Sequence, residues 1–209
     1  MKKLSEPQKK TLEKVVNLSL TEGFYLAGGT ALTIKYSHRV SEDFDFFTFP
    51  EREIDLLTFD IKSQTLPIEW TVKKMDTLIF YYIINDHYIK FSFFRYPYIL
   101  LEKPEFHDSL KIFIAKDVDI ACMKAVAIVQ RGSKKDFFDL WFLMNLHKWK
   151  LEDIFDFLKY KYPKYNPGMF LKALTYFEDA ERESYKDIDF QWEEIKIFFN
   201  KAVSNFLGH

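Results

Sequence analysis

The sequence predicts an α+β fold, in which a mixed sheet with flanking helices is followed by a C-terminal helical bundle region. Up to about residue 115, short apolar runs typical of strands alternate with segments of helical period, and beyond that point only helical periods remain. Hydrophobic residues make up 48% of the 209-residue chain and aromatic residues 19%, as expected for a chain that buries a core. We therefore expect an α+β region at 1–115 and a helical region at 116–209.

The N-terminal region should begin with a helix, because Ser5 and Gln8 have the spacing of a capping box and apolar residues follow at helical intervals. Gly23 ends this helix, and Pro50 ends a later strand. Asn85–Asp86 separates two apolar runs and predicts a hairpin turn. The strands are expected at Phe24–Ala27, Phe44–Thr48, Glu69–Met75, Leu78–Ile84, Tyr88–Phe94 and Leu110–Ala115. Helices are expected between the first strands, at about Thr30–Tyr36 and Glu51–Ser63.

The C-terminal region reads as consecutive helices. Asp117 can cap the first of them, and Gly132 separates it from the second. Asn166 and Pro167 form a cap and a first helical residue. The expected helices are Asp117–Gln130, Ser133–Lys148, Leu151–Tyr160, Pro167–Arg182 and Gln191–Leu207.

Charge and cysteine content narrow the classes of function. The net charge of −1 gives no overall field for nucleic acid or an anionic membrane. The single Cys122 lies in an apolar helical pattern, which favours packing and fits a reducing compartment. The N-terminus lacks the apolar segment of a signal peptide, and no apolar run reaches membrane-spanning length. We therefore expect a cytoplasmic protein without a membrane partner.

The stretch Leu26–Phe47 contains the candidate metal-binding and phosphate-binding residues. Asp43 and Asp45 are two residues apart in a strand-like run, so both carboxylates should project from one face of the sheet. Two adjacent carboxylates suit a hard divalent cation, Mg²⁺ or Mn²⁺, that also binds substrate phosphates. Upstream, the turn Gly28–Gly29–Thr30 opens a helix, where free backbone N–H groups suit an anion. This combination predicts a metal-dependent nucleotide site.

The pattern GG-T, a spacer and D-h-D (h, apolar) resembles the signature of nucleotidyltransferases with the DNA polymerase β type of fold. The fuller form GGTAL…HR.SEDFDFF is similar to the AbiEii/AbiGii toxin branch, and FSFFRYPY (91–98) and DIACMKAVAIVQRGSKKDFFDL (119–140) extend the resemblance over about residues 20–145. It implies transfer of an NMP from an NTP to a hydroxyl of a tRNA 3′ end or a protein, and a toxin with a cognate antitoxin. It also implies that 1–115 is the catalytic region and that the helical region, packed on it, completes the active site.

The resemblance assigns further site residues. It implies that Lys124 reaches the nucleotide phosphates and that Asp136 is catalytic. Arg131 lies two helical turns after Lys124, so the two cations share a face, and Arg131 joins the nucleotide-binding set. Arg39 is either a phosphate ligand or a surface charge. Lys124 could instead extend along its helix to the surface, and Asp139 could orient either cation.

One position departs from the family pattern. Polymerase-like relatives place a third carboxylate on a neighbouring strand, where this chain has Ser92, on the same face as Lys90 and Phe94. We therefore expect one metal ion, or a base from elsewhere. Two alternatives remain: a non-catalytic nucleotide-binding domain on the same scaffold, and an RNA-binding module that uses RGSKK (131–135) as a phosphate patch.

Overall fold

Residues 4–208 are described by a computed structural model and form two compact units that meet in sequence between Lys116 and Asp117. Within these residues every strand belongs to the first unit, whereas the second contains only helices. The predicted α+β class, with a mixed sheet followed by C-terminal helices, is confirmed.

The first unit is built on a seven-stranded sheet in the order β3-β4-β5-β2-β1-β7-β6. The sheet is mixed, because the β2–β5 and β1–β7 pairs are parallel and the remaining pairs are antiparallel. Its strands are β1 (Phe24–Ala27), β2 (Phe44–Thr48), β3 (Ile68–Lys74), β4 (Thr77–Ile84), β5 (His87–Phe94), β6 (Glu105–His107) and β7 (Ile112–Ile114).

One face of this sheet carries the aromatic core. Phe44 stacks on Phe91 and Phe46 on Phe93, with ring centroids 4.8 and 5.1 Å apart, and all four side chains are fully buried. The helices of the unit are α1 (Glu6–Asn17), α2 (Gly28–Tyr36) and α3 (Leu56–Ser63). Because strand side chains alternate, Asp45 and Ser92 lie on the opposite face.

The second unit is a helical bundle in which the first helix contacts the next three. Its helices are α4 (Asp117–Arg131), α5 (Lys134–His147), α6 (Leu151–Lys161), α7 (Pro167–Leu174), α8 (Glu178–Glu181) and α9 (Trp192–Leu207). Cys122 is a buried free thiol on α4, and burial raises its pKa to about 12, which agrees with a packing role. No helix within residues 4–208 is both long and apolar enough to cross a membrane.

Several predicted boundaries were wrong. The helix expected at Pro167–Arg182 is two helices, α7 and α8, separated by a short non-helical segment. Strand β6 was not predicted, and α3 begins only at Leu56. The helix expected to start at Thr30 starts at Gly28 instead, so the glycines form its first turn rather than a separate loop. Asp117 is the first helical residue rather than the cap, and its carboxylate lies 2.7 Å from His147.

Candidate active site

The acid pair occupies the centre of the sheet. Asp45 is paired in register with Ala27 of β1 on one side and Ser92 of β5 on the other. Strand β2 has the predicted bounds, Phe44–Thr48, so Asp43 lies one residue before it. Asp43 nevertheless faces the same way, since its carboxylate Oδ2 lies 3.9 Å from Nζ of Lys90, two residues before Ser92. The Asp43 side chain is 53% exposed and therefore accessible to a ligand.

The glycine turn lies against these carboxylates. Gly28 has φ +70°, a backbone conformation that residues other than glycine rarely adopt. A Cβ atom built at this position would lie 3.3 Å from Oδ2 of Asp45. Gly28 is also the first residue of α2, whose N-cap, Ala27, has no side chain that could cap the helix. Backbone N–H groups at the start of a helix attract anions, so a phosphate bound there would be next to Asp45.

Arg39 is a buried part of the same turn. It is only 3% exposed, and its guanidinium occupies the space over Gly29, where a Cβ atom would be 2.2 Å from Nη2. Its Nη1 donates to the carbonyl of Val40 at 2.9 Å. The surface-charge interpretation of Arg39 was therefore wrong, and a side chain at position 29 would displace its guanidinium.

The loop that leads to the acids is held by its backbone carbonyl groups. Gln8 of α1 donates through Nε2 to the carbonyl oxygens of Ser41 and Glu42, at 2.9 and 3.1 Å. Thr30 donates to the next carbonyl, that of Asp43. The hydroxyl of Thr30 is buried and bonded within the protein, so the phosphate contact predicted for this residue would have to involve its backbone N–H. Sequence reasoning identified Gln8 only as part of the α1 capping box, which is also present.

Ser92 lies where the third acid was sought, directly beside Asp45. It is fully buried, and its hydroxyl has no hydrogen-bond partner among residues 4–208. The residue that does bring charge to this face is Lys90, whose ion-pair partner in the described chain is Asp43. The strand alternation had placed Lys90 on this face, but contact with Asp43 depends on the β2–β5 pairing, which the sequence does not show.

The second unit contains a cluster formed by the residues that the helical motif predicted. Nζ of Lys124 lies 2.8 Å from Asp136 and 2.7 Å from Asp139. Arg131 donates to both carboxylate oxygens of Asp136, at 2.7 and 2.9 Å. Both acids are fully buried and the Lys124 side chain is 8% exposed, so the interpretation of Lys124 as a residue that extends to the surface was wrong. Asp139 does orient Lys124.

The protonation state of Asp136 is set by the two cations beside it. Burial acts to raise the pKa of Asp136, but the charges and hydrogen bonds of Lys124 and Arg131 outweigh it. The pKa of Asp136 is therefore held below its ordinary value of 3.8, and the carboxylate is ionised at neutral pH. The Arg131 side chain is 65% exposed, which makes it the more accessible of the two cations.

The segment 131–135 does not form an open phosphate patch. Lys134 is only 5% exposed and its Nζ bonds to the carbonyl of Glu183 and to Asp189. Nζ of Lys135 lies 4.3 Å from the centre of the Tyr185 ring. Lys134 and Lys135 are thus engaged within the protein, and Arg131 is the exposed cation of this segment.

The donor set of the first unit fits a hard divalent cation. Asp43 and Asp45 provide carboxylate oxygens, and Mg²⁺ is commonly bound through one or two carboxylates together with substrate phosphates and water. Residues 4–208 contain no group of three or more His, Cys, Asp or Glu side chains placed to share an ion. The pair would therefore supply two ligands, and the phosphates of a nucleotide would supply others.

The fold that carries this acid pair is nucleotidyltransferase-like. Two Helicobacter pylori structures share it, a candidate nucleotidyltransferase (TM-score 0.56, covering 97% of both chains) and JHP933 (TM-score 0.53, covering 98% of both), each at 18% identity. Residues 10–66 match the nucleotidyl transferase AbiEii toxin of type IV toxin–antitoxin systems. The chain therefore contains a segment, with Gly28 and Asp45 in it, that matches the nucleotidyl transferase domain of this toxin family. It is also 52% identical over 208 residues to the Aquifex aeolicus (strain VF5) uncharacterized protein aq_aa25, with 99% of each chain covered.

Proposed function

We propose that this protein transfers an NMP from an NTP to a hydroxyl acceptor, with Mg²⁺ or Mn²⁺ bound by Asp43 and Asp45. The observation that carries the proposal is the position of Asp45, which lies two residues after the exposed Asp43 and whose carboxylate lies against Gly28, at the uncapped start of α2. A cation on the acids and a phosphate at the helix start would therefore be neighbours.

The chain's own residues would perform most of the work by positioning. The metal ion, when bound, would neutralise charge on the phosphates and on the leaving pyrophosphate. Gly28 and Gly29 allow close approach of the backbone, and Arg39 adds a buried positive charge beside them. The acceptor oxygen would attack the α-phosphorus in line with the departing pyrophosphate, and its proton would pass to a base or to solvent.

The role of the helical unit in this reaction is carried by the family resemblance. Lys124 and Asp136 would serve the same transfer, with Arg131 as a phosphate contact. The bonds of Lys124 to two buried carboxylates support a refinement, in which Lys124 chiefly fixes Asp136 and the exposed Arg131 meets the phosphate.

The family also supports a biological setting. We infer that the protein is the toxin of a pair, with a cognate antitoxin, and that it acts in the cytoplasm on a tRNA 3′ end or a protein side chain. The non-catalytic alternative, a nucleotide- or RNA-binding domain, remains as an outcome of the test.

The test is incubation with each α-labelled NTP, Mg²⁺ and cell extract, followed by separate nuclease and protease digestion. Label that becomes nuclease-sensitive identifies an RNA acceptor, and protease-sensitive label identifies a protein acceptor. Salt-sensitive RNA binding without label transfer from any NTP would instead favour the binding-domain alternative.

A further inference from the structure

Lys90 brings a positive charge to the face of the sheet that carries the acid pair. It lies on β5 two residues before Ser92, which is the register partner of Asp45. Its Nζ is 3.9 Å from Oδ2 of Asp43, and the two side chains are 31% and 53% exposed. This pair is therefore reachable from solvent and contributes little to stability.

A lysine at this place opposes metal binding unless it has another partner. A divalent cation on Asp43 and Asp45 would be a like charge close to the Lys90 ammonium. The four-carbon stem of a lysine is flexible, so the ammonium can leave Asp43 when the cation arrives. The anionic groups that would then be next to it are the phosphates held by the same cation.

The serine at position 92 leaves this strand without a ligand for a second metal ion. No carboxylate stands beside Asp45 on β5, because the position is occupied by a buried serine whose hydroxyl has no partner in residues 4–208. A second metal ion would lack a protein ligand on this strand. A lysine two residues away can supply the second positive charge directly.

The geometry points to Lys90 as the second cation of the site: it pairs with Asp43 in the free protein and binds phosphate oxygens of the nucleotide once a metal ion occupies the acids. This inference rests on the proposed metal site. It gives Lys90 two effects of opposite sign, because its charge weakens binding of the bare metal ion and strengthens binding of the metal-bound polyphosphate.

The experiment is a charge series, Lys90→Arg, Lys90→Met and Lys90→Glu, in the full chain. Free Mn²⁺ is titrated and followed by electron paramagnetic resonance. Mn²⁺ affinity should stay near wild type for Arg, rise on the order of three- to tenfold for Met, and rise further for Glu. Affinity for the Mn²⁺ complex of inorganic tripolyphosphate, measured by calorimetry, should fall in the same order, by about fivefold or more for Met.

Two controls separate the possible failures. Lys74→Met removes one exposed lysine at the end of edge strand β3 and should change neither affinity. Asp43→Asn should abolish Mn²⁺ binding, and equal binding by this variant and wild type would overturn the proposed metal site itself. If Asp43→Asn loses Mn²⁺ while the Lys90 series is flat, or moves both affinities in the same direction, the metal site stands and the Lys90 inference is overturned. Lys90→Gln replaces Lys90→Met if the latter does not fold.

Discussion

Replacement of Lys124 by Met should strongly destabilise the helical unit. On a surface lysine this change would remove only a charge, because Met keeps most of the stem's packing. Here Nζ lies within 2.8 Å of both Asp136 and Asp139, whose side chains are fully buried. Removing one partner of a buried ion pair costs about 3–5 kcal/mol, because the remaining charge stays in a medium that solvates it poorly.

A second substitution tests how much of the lost stability is due to the buried charge of Asp139. In the Lys124→Met variant Asp136 keeps its two hydrogen bonds from Arg131, whereas Asp139 keeps its buried charge and loses the ammonium that lies 2.7 Å away. Lys124→Met combined with Asp139→Leu removes that carboxylate and should recover at least half of the lost stability, since an apolar replacement of a buried pair is often nearly neutral.

The assay is urea unfolding followed by circular dichroism at 222 nm. Lys172→Met, at an exposed position on α7, is the matched control and should stay within about 0.5 kcal/mol of wild type. A loss below about 1 kcal/mol for Lys124→Met, or no recovery in the double variant, would refute the view that Lys124 holds the two acids.

Three further outcomes are expected. Gln8→Met removes both donors to the loop before the acid pair and should cost about 1–3 kcal/mol in urea unfolding and several-fold in Mn²⁺ affinity; unchanged Mn²⁺ affinity would mean that the loop does not position the acids. Ser92→Ala should reduce single-turnover transfer only slightly, because its hydroxyl has no partner in the described residues, whereas Asp136→Asn should cost about a hundredfold or more; the reverse ranking would make the helical motif structural. Lys124 and Arg131 lower the pKa of Asp136, so the contribution of this carboxylate to the free energy of unfolding is complete above pH 3.8 and is lost as the pH falls through the lower pKa of the folded protein. The free energy of unfolding should therefore decrease less steeply with falling pH in Asp136→Asn than in wild type.

Local sequence signals were sufficient for most elements. The strand Phe24–Ala27 was predicted to the residue, because it is an apolar run bounded by glycines. The Asn85–Asp86 turn was also correct: both residues adopt positive φ, 45° and 62°, as a two-residue hairpin requires. Strand β6, Glu105–His107, escaped because it is a short edge strand with two polar residues, and only its pairing with β7 defines it.

The residues of the candidate site likewise fall into those that local sequence signals indicate and those that depend on contacts between distant parts of the chain. Asp45 and Gly28 could be predicted, because a strand's alternation and a glycine's freedom are properties of adjacent residues. Lys90 and Gln8 could not be assigned to the site, because their contacts join residues that are 47 and 33 or more positions away. The sequence left Arg39 open between a phosphate ligand and a surface charge, because nothing in its neighbours indicates that its guanidinium fills the space over Gly29.

The most direct test of the account compares transfer of α-labelled NMP by wild type and by Asp43→Asn over a range of Mg²⁺ and Mn²⁺ concentrations. The substitution keeps the shape of the side chain and removes the charge that would hold the metal ion. We expect metal-dependent transfer by wild type, none by Asp43→Asn, and identical circular dichroism spectra for the two proteins. Transfer by Asp43→Asn at the wild-type rate and with the same metal dependence would contradict it.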